Sequence, residues 1–82
     1  MKPHVVIDTR GFFCPVPVIK TSEALRNLDP GSVVEVIADD PAIEFDLPAW
    51  CWSNGHTIRE SHRESGIHRF LVEKGEARNP TA

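Results

Sequence analysis

The sequence of 82 residues has few cysteines, no excess of basic charge and no long apolar run. No apolar stretch approaches the roughly 18 residues of a membrane-spanning helix, and the run at residues 5–7 is too short for a secretory signal. Two cysteines are too few for a disulfide framework. A net charge of −3 argues against direct nucleic-acid binding, because dedicated binders usually carry a basic excess. We therefore expect a cytoplasmic protein with reduced thiols and no membrane partner.

The length and the composition indicate a single folded domain. Hydrophobic residues make up 40% of the chain and charged residues 26%, which is ordinary for a folded protein. A chain this short can build one thin core between two layers of secondary structure. We expect this domain to span residues 1–75, with a flexible polar tail at residues 76–82.

Hydrophobic periodicity and breaker residues predict the order β-α-β-α-β-β. Asp40 followed by Pro41 is typical of a helix start, with the aspartate as the cap. The predicted strands are residues 4–8, 32–38, 56–63 and 67–74, and the predicted helices run from about Pro15 or Pro17 to Leu28 and from Pro41 to about Ser53. The second strand is almost continuously apolar, so we expect it to be central. The expected fold is an α/β (α+β) two-layer sandwich, in which a four-stranded mixed sheet carries both helices on one face.

The sequence predicts that the last two strands form a hairpin around the loop at residues 64–66, which contains a turn glycine. Pairing residue 62 with 68, 60 with 70 and 58 with 72 places Ile58, Phe70 and Val72 on one face, as a core requires. The other face of the hairpin is then expected to be partly exposed to solvent. This register also sets His62 opposite His68, but no third ligand is evident, so we expect no metal site.

Cys14 lies where the first strand gives way to the first helix. Helix N-termini have unpaired N–H groups and a partial positive charge, so a thiolate there is stabilised and the pKa of the thiol is expected to fall. Arg10 is close enough in sequence to add positive potential. Pro15 and Pro17 have no N–H, so any hydrogen bond to the sulfur has to come from Val16 or Val18. The alternative interpretation is that Cys14 is a small buried apolar residue, as most free cysteines are.

Two segments resemble those of a known family. The run Asp8-Thr9-Arg10-Gly11-Phe12-Phe13-Cys14-Pro15-Val16-Pro17 is similar to the Asp-x-x-Gly-x-x-Cys-Pro-x-Pro signature of the TusA/SirA family. The run Ala38-Asp39-Asp40-Pro41-Ala42, followed by Asp46-Leu47-Pro48 and Trp50-Cys51, resembles the second βα unit of the same family. The resemblance covers about residues 4–74 and implies a β-α-β-α-β-β sandwich.

The resemblance also implies a sulfurtransferase-type carrier, whether or not it is counted as an enzyme. In this family the motif cysteine, here Cys14, accepts a sulfane sulfur as a persulfide from a cysteine desulfurase or a rhodanese-type donor. It then passes the sulfur to an acceptor protein that serves tRNA thiolation, molybdenum cofactor assembly or sulfur oxidation. No cofactor is implied. Small size and a relay role suit a monomer.

The residues around the motif cysteine are expected to shape the site or to contact partners. They are Arg10, Gly11, Phe12, Phe13, Pro15, Val16 and Pro17. Members that resemble the tRNA-thiolation carrier tend to have glutamate between the two prolines, whereas this chain has Val16, so the downstream partner stays open. Phe45 and Trp52 also fall off the expected core stripes, and exposed aromatic residues dominate the energetics of interfaces.

Two other functions stay open at the level of sequence. Cys51 falls on the apolar stripe of the second helix and is expected to be inert core. If it were instead within disulfide reach of Cys14, the protein would be a thiol redox protein. A non-catalytic regulatory or protein-binding module with the same fold is the other alternative.

Overall fold

The computed structural model describes residues 2–76 and confirms the predicted order of elements. They are β1 (Val5–Asp8), α1 (Val16–Arg26), β2 (Val33–Ala38), α2 (Ile43–Asn54), β3 (Thr57–Glu64) and β4 (Ile67–Glu73). Each boundary lies within two residues of the predicted one. Apart from Glu76, the predicted C-terminal tail lies outside the described residues. Among residues 2–76, no helix is long and apolar enough to cross a membrane.

The four strands form one mixed sheet in the order β1-β2-β4-β3. β1 pairs with β2 in parallel, and β4 is antiparallel to both β2 and β3. β2 is therefore an inner strand, as its apolar sequence predicted. Val34 and Val36 belong to the core between sheet and helices, while Ile37 on the opposite face is also buried. A strand that is covered on both faces needs apolar residues at consecutive positions, not only at alternate ones.

One core lies between the sheet and the two helices. Leu25 of α1 and Ile43, Leu47 and Cys51 of α2 pack there against apolar side chains of β2 and β4, and Phe70 completes the cluster. The spacing of the three α2 residues is helical, so they share one face of that helix. Cys51 is 1% exposed, which confirms the expectation that its side chain belongs to the core.

The predicted hairpin register is correct at one end and wrong at the other. Ile58 pairs with Val72 as expected, but Ser61 pairs with Phe70, so the predicted pairs 60/70 and 62/68 are wrong by one residue. The turn is shorter than expected: Ser65 and Gly66 both have positive φ (53° and 79°), and residues 64 and 67 already pair. Two residues with positive φ are typical of a type I′ hairpin turn. A bulge between residues 58 and 60 then returns Ile58 to the core face.

The corrected register separates the two histidines. His62 lies opposite Arg69 with its ring 3.1 Å from the Glu60 carboxylate, whereas His68 is buried on the helix side of β4. Partners on neighbouring strands share a face, and successive residues alternate between faces. His62 and His68 therefore point to opposite sides of the sheet, and the sequence-based pairing of these rings is wrong. Among residues 2–76 no group of three His, Cys, Asp or Glu side chains is arranged to hold a metal ion.

The sheet face away from the helices is covered by ion pairs between strands. Arg69 of β4 donates to Glu35 of β2 at 3.0 Å, and Arg59 of β3 lies 3.3 Å from Glu73 of β4. The Arg69 side chain is about half exposed. This matches the expected wet face of the hairpin, and it leaves the exposed aromatic residues to the helices and the loop after β1.

Candidate functional site

Cys14 lies in a turn at the carboxyl end of β1, directly before α1 begins at Val16. β1 and β2 are parallel neighbours, so their carboxyl ends meet at one edge of the sheet, and the segment after β1 lies beside the segment after β2. Functional groups commonly gather at such edges. Cys14 is partly buried and packs against the core cluster. Its peptide bond to Pro15 is cis.

Two consecutive carboxylates after β2 hold the loop that carries Cys14. The Gly11 N–H donates to both oxygens of Asp39, at 3.0 and 3.1 Å. The Cys14 N–H donates to Oδ2 of Asp40 at 2.8 Å, and the Ala42 N–H donates to Oδ1 of the same carboxylate at 3.1 Å. Gly11 has φ of +90°, a conformation that side chains rarely tolerate. The backbone of Cys14 is thereby tied to the turn that precedes α2.

Sequence reasoning found only part of this arrangement. It predicted Asp40 as a cap at the start of the second helix, but α2 begins at Ile43 with Ala42 at the cap position, and Asp40 accepts the Ala42 N–H in the turn before the helix. It missed the bond from Asp40 to Cys14, which joins residues 26 positions apart, and it assigned no role to Asp39. The available signal was topological: polar residues that end adjacent parallel strands meet at one edge.

The helix N-terminus does not supply the expected donor to the sulfur. The N–H of Val16 donates to the Phe13 carbonyl at 2.9 Å, so it is used within the loop. Pro15 occupies the cap position of α1, and Pro17 lies within the first turn. The stabilisation of a thiolate by Val16, considered from the sequence, is therefore not available.

The electrostatic surroundings of Cys14 favour the neutral thiol. Partial burial is the largest cause, and the charges of Asp40 and Asp46 together with a hydrogen bond to Asp46 add to it, raising the pKa of Cys14 to about 11. Arg10 does not offset these charges, because its guanidinium is paired with both oxygens of Asp8 at 3.0 and 2.7 Å. The predicted fall of the thiol pKa is therefore wrong, since burial and two carboxylates outweigh the helix end.

A pH profile of alkylation tests this electrostatic assignment. In a Cys51→Ala protein, the rate of reaction with iodoacetamide is expected to rise through pH 9 and 10, with its midpoint at about 11. The reason is that the thiolate is the reacting form, and its fraction grows about tenfold per pH unit below the pKa. Alkylation quenched at successive times and followed by mass spectrometry measures the rate. A plateau reached by pH 8 would contradict the assignment and restore the helix-activated thiol.

The predicted site-shaping residues surround Cys14, with one exception. Arg10, Gly11, Phe12, Phe13 and Pro15 are exposed and Val16 is partly exposed, but Pro17 is buried. The Pro17 carbonyl accepts the Thr21 hydroxyl inside α1 at 2.8 Å, so Pro17 is a structural residue that no partner can contact.

Exposed aromatic side chains lie in the loop that carries Cys14 and on α2. Phe13 is 79% exposed in the loop after β1, and Phe45 is 76% exposed in the first turn of α2, next to Asp46. Phe12 is less exposed and lies beneath the Lys20 ammonium group, 5.2 Å from its ring centre. Trp52 is also exposed, but it lies in the last turn of α2, at the opposite end of that helix from Asp46.

Cys51 is not placed to act as a second redox thiol. It is 1% exposed, and burial raises the pKa of this thiol to about 12. Both cysteines are free thiols. A buried, neutral thiol reacts slowly in thiol exchange, so the arrangement does not favour the redox alternative.

This fold, with one partly exposed cysteine on a braced turn between β1 and α1, defines a class of small α+β domains that present a thiol at a sheet edge. Residues 5–74 match the family model described as Sulfurtransferase TusA, and the chain belongs to that family. The resemblance to the TusA/SirA family is thus confirmed.

Relatives and a solved structure agree with this assignment. "Putative sulfur carrier protein YrkI" of Bacillus subtilis (strain 168) is 39% identical over 75 residues, which is 92% of this chain and all of that protein. "Putative sulfur carrier protein YrkF" of the same organism is 37% identical over 92% of this chain, which spans only 40% of YrkF. The crystal structure of a SirA-like protein from Desulfitobacterium hafniense superposes with a TM-score of 0.77 at 30% identity, covering 88% of this chain and 99% of that one.

Proposed function

We propose that this protein is a sulfur carrier in which Cys14 accepts a sulfane sulfur as a persulfide and relays it to an acceptor protein. The observation that carries the proposal is the position of Cys14 on a braced turn, within a chain whose family is described as sulfurtransferase. Two relatives with sulfur carrier in their names support it. The proposed donors are a cysteine desulfurase or a rhodanese-type protein.

The site meets two requirements of persulfide relay, an accessible sulfur and a fixed backbone, while its raised thiol pKa makes exchange slow in the free protein. Sulfur transfer is the attack of a thiolate on a sulfur, so it needs access to the thiol and no dedicated cofactor. A persulfide is a reversible modification of a thiol, so one cysteine is enough for a carrier. Cys14 is partly exposed, and its backbone is fixed by Asp40, so a partner meets the sulfur at a defined place.

The exposed aromatic residues fit the need for transient docking. Phe13 precedes Cys14 directly in the exposed loop after β1, whereas Phe45 lines a groove with Pro48 and Ser61 on the β3 side of α2. Aromatic side chains bury much area at low entropic cost when a partner docks. Val16 is also partly exposed, and it stands where tRNA-thiolation carriers tend to have glutamate, so the acceptor among the three destinations stays open.

Loading by a sulfur donor tests the proposal directly. The protein is incubated with a desulfurase and cysteine, or with a rhodanese and thiosulfate, and its intact mass is measured. The expected result is a gain of one sulfur atom, about 32 Da, that disappears with dithiothreitol because the persulfide is reducible. At least one of the two donors is expected to convert most of the protein molecules to the persulfide form.

The alternatives predict different masses in the same experiment. A Cys14/Cys51 redox protein loses two hydrogens on oxidation and gains no sulfur. A protein-binding module stays unchanged with both donors, and that outcome would refute the carrier function.

A further inference from the structure

We propose that Asp40 and Asp46 are positioning residues of the sulfur-transfer step, which hold Cys14 in place and make it retain its sulfur until a partner docks. The inference rests on the proposed function and assigns a role to two carboxylates that the relay chemistry does not itself require. It concerns the rate at which sulfur enters and leaves Cys14 in the free protein.

The two carboxylates act on different parts of Cys14. Asp40 accepts the Cys14 N–H at 2.8 Å with one oxygen and the Ala42 N–H at 3.1 Å with the other, so it bridges the turn of the thiol to the turn before α2. Partial burial is the largest cause of the raised pKa of the Cys14 thiol, and Asp46, in the first turn of α2, adds to it together with Asp40. Both carboxylates therefore act on Cys14, one through its backbone and one through its sulfur.

Among the described residues, no positive side chain is a cause of the shift in the pKa of Cys14. Arg10 is engaged by Asp8, with its Nη2 2.7 Å from Oδ2, and the Lys20 ammonium lies over the Phe12 ring. The hydrogen bonds from Cys14 and Ala42 lower the pKa of Asp40, and the buried His68 contributes in the same direction, so Asp40 stays ionised. A thiolate on Cys14 therefore forms against the charges of Asp40 and Asp46.

The chemistry of release shows what these charges do. An attacking thiolate forms a bond to the outer sulfur of the Cys14 persulfide, the bond from that sulfur to Sγ breaks, and its electron pair stays on Sγ. The attacker leaves as a persulfide, and water or the partner protonates Sγ. The attacker is oxidised and Cys14 is reduced, so no other oxidant or reductant is needed.

Carboxylates beside Sγ oppose this step because negative charge develops there. Exchange is slower when the leaving thiol is more basic, and the same basicity leaves few thiolates in the unloaded protein. The free carrier is thus slow to exchange sulfur with small thiols in either direction. A docked partner that brings positive charge to the carboxylates offsets their effect on Sγ, so that release depends on docking.

Asparagine variants separate charge from shape. Asp46→Asn and Asp40→Asn keep the size of each side chain and one acceptor oxygen, and Glu23→Gln on the exposed surface of α1 removes one equal charge as the matched control. In the unloaded protein with Cys51→Ala, both asparagine variants are expected to react with iodoacetamide about threefold faster at pH 8, with the midpoint of the pH profile moved lower. Glu23→Gln is expected to match the parent.

Release from loaded protein supplies the second measurement. Sulfur loss from the Cys14 persulfide to glutathione is expected to be about two- to fivefold faster in each asparagine variant than in the control, because a less basic thiol leaves faster. Thermal unfolding verifies that the variants are folded, and a loss of stability alone moves no pH midpoint. The double variant is a further check if one aspartate compensates for the other.

The outcomes distinguish this inference from the proposed function. If the alkylation midpoints of folded Asp40→Asn, Asp46→Asn and double variants equal that of the parent, the role of the carboxylates is refuted, even if sulfur loading succeeds. If the midpoints move but no donor loads Cys14, the sulfur-carrier function fails, and with it the retention role.

Discussion

Replacing Cys14 by serine is expected to abolish the gain of sulfur with every donor that loads the parent protein. A serine oxygen cannot form a persulfide, so the effect is all or none and does not depend on how well the variant binds its donor. Intact mass after incubation with donor measures it. Because Cys14 is only partly buried, the substitution is expected to leave the thermal midpoint close to that of the parent.

The matched control removes the other thiol. Cys51→Ala keeps Cys14 and its bracing carboxylates, so loading is expected to continue, even though the loss of a core sulfur costs about 1–2 kcal/mol of stability. A gain of sulfur by Cys14→Ser, or no gain by folded Cys51→Ala, would contradict the assignment of the carrier role to Cys14.

A truncation in the core is expected to have the largest effect on stability. Leu47→Ala removes a fully buried side chain from the centre of α2, where it packs with core residues of the sheet, and is expected to cost about 2–5 kcal/mol. In a domain of this size each kilocalorie lowers the midpoint of thermal unfolding by roughly 4–8 °C. Urea denaturation followed by circular dichroism measures the loss of free energy.

The control for the core is an exposed apolar residue on the other helix. Ile19 of α1 is 51% exposed, so Ile19→Ala is expected to change the free energy of unfolding by less than about 0.5 kcal/mol, helped by the high helix propensity of alanine. Equal losses in the two variants would mean that the core does not lie between α2 and the sheet as described.

The fold was predictable because its signals are local. The apolar run of β2, the Asp40-Pro41 start and the Asn54-Gly55 end of the second helix each define an element within a few residues. The parallel pairing of the first two strands then follows from handedness rules. The hairpin register was not predictable to the residue, because the sequence Glu64-Ser65-Gly66 fits both a three-residue loop and the two-residue turn that forms.

The site was predictable in identity but not in its electrostatics. Cys14 stood out by its position before a helix and by the motif around it. The carboxylates that act on its thiol come from elsewhere in the chain, Asp40 from the turn before α2 and Asp46 from α2 itself. The sequence also could not show that Arg10 turns back to Asp8, which removes the only positive charge expected near the sulfur.

A peptide map of the loaded protein shows whether Cys14 itself carries the sulfur. Iodoacetamide caps the loaded protein, and trypsin separates the two cysteines, because Cys14 lies in the fragment of residues 11–20 and Cys51 in that of residues 27–59. The extra sulfur, about 32 Da, is expected on the capped fragment 11–20 and is expected to be absent after treatment with dithiothreitol. Extra sulfur found on fragment 27–59 alone, or on neither fragment with both classes of donor, would contradict the assignment of the sulfur to Cys14.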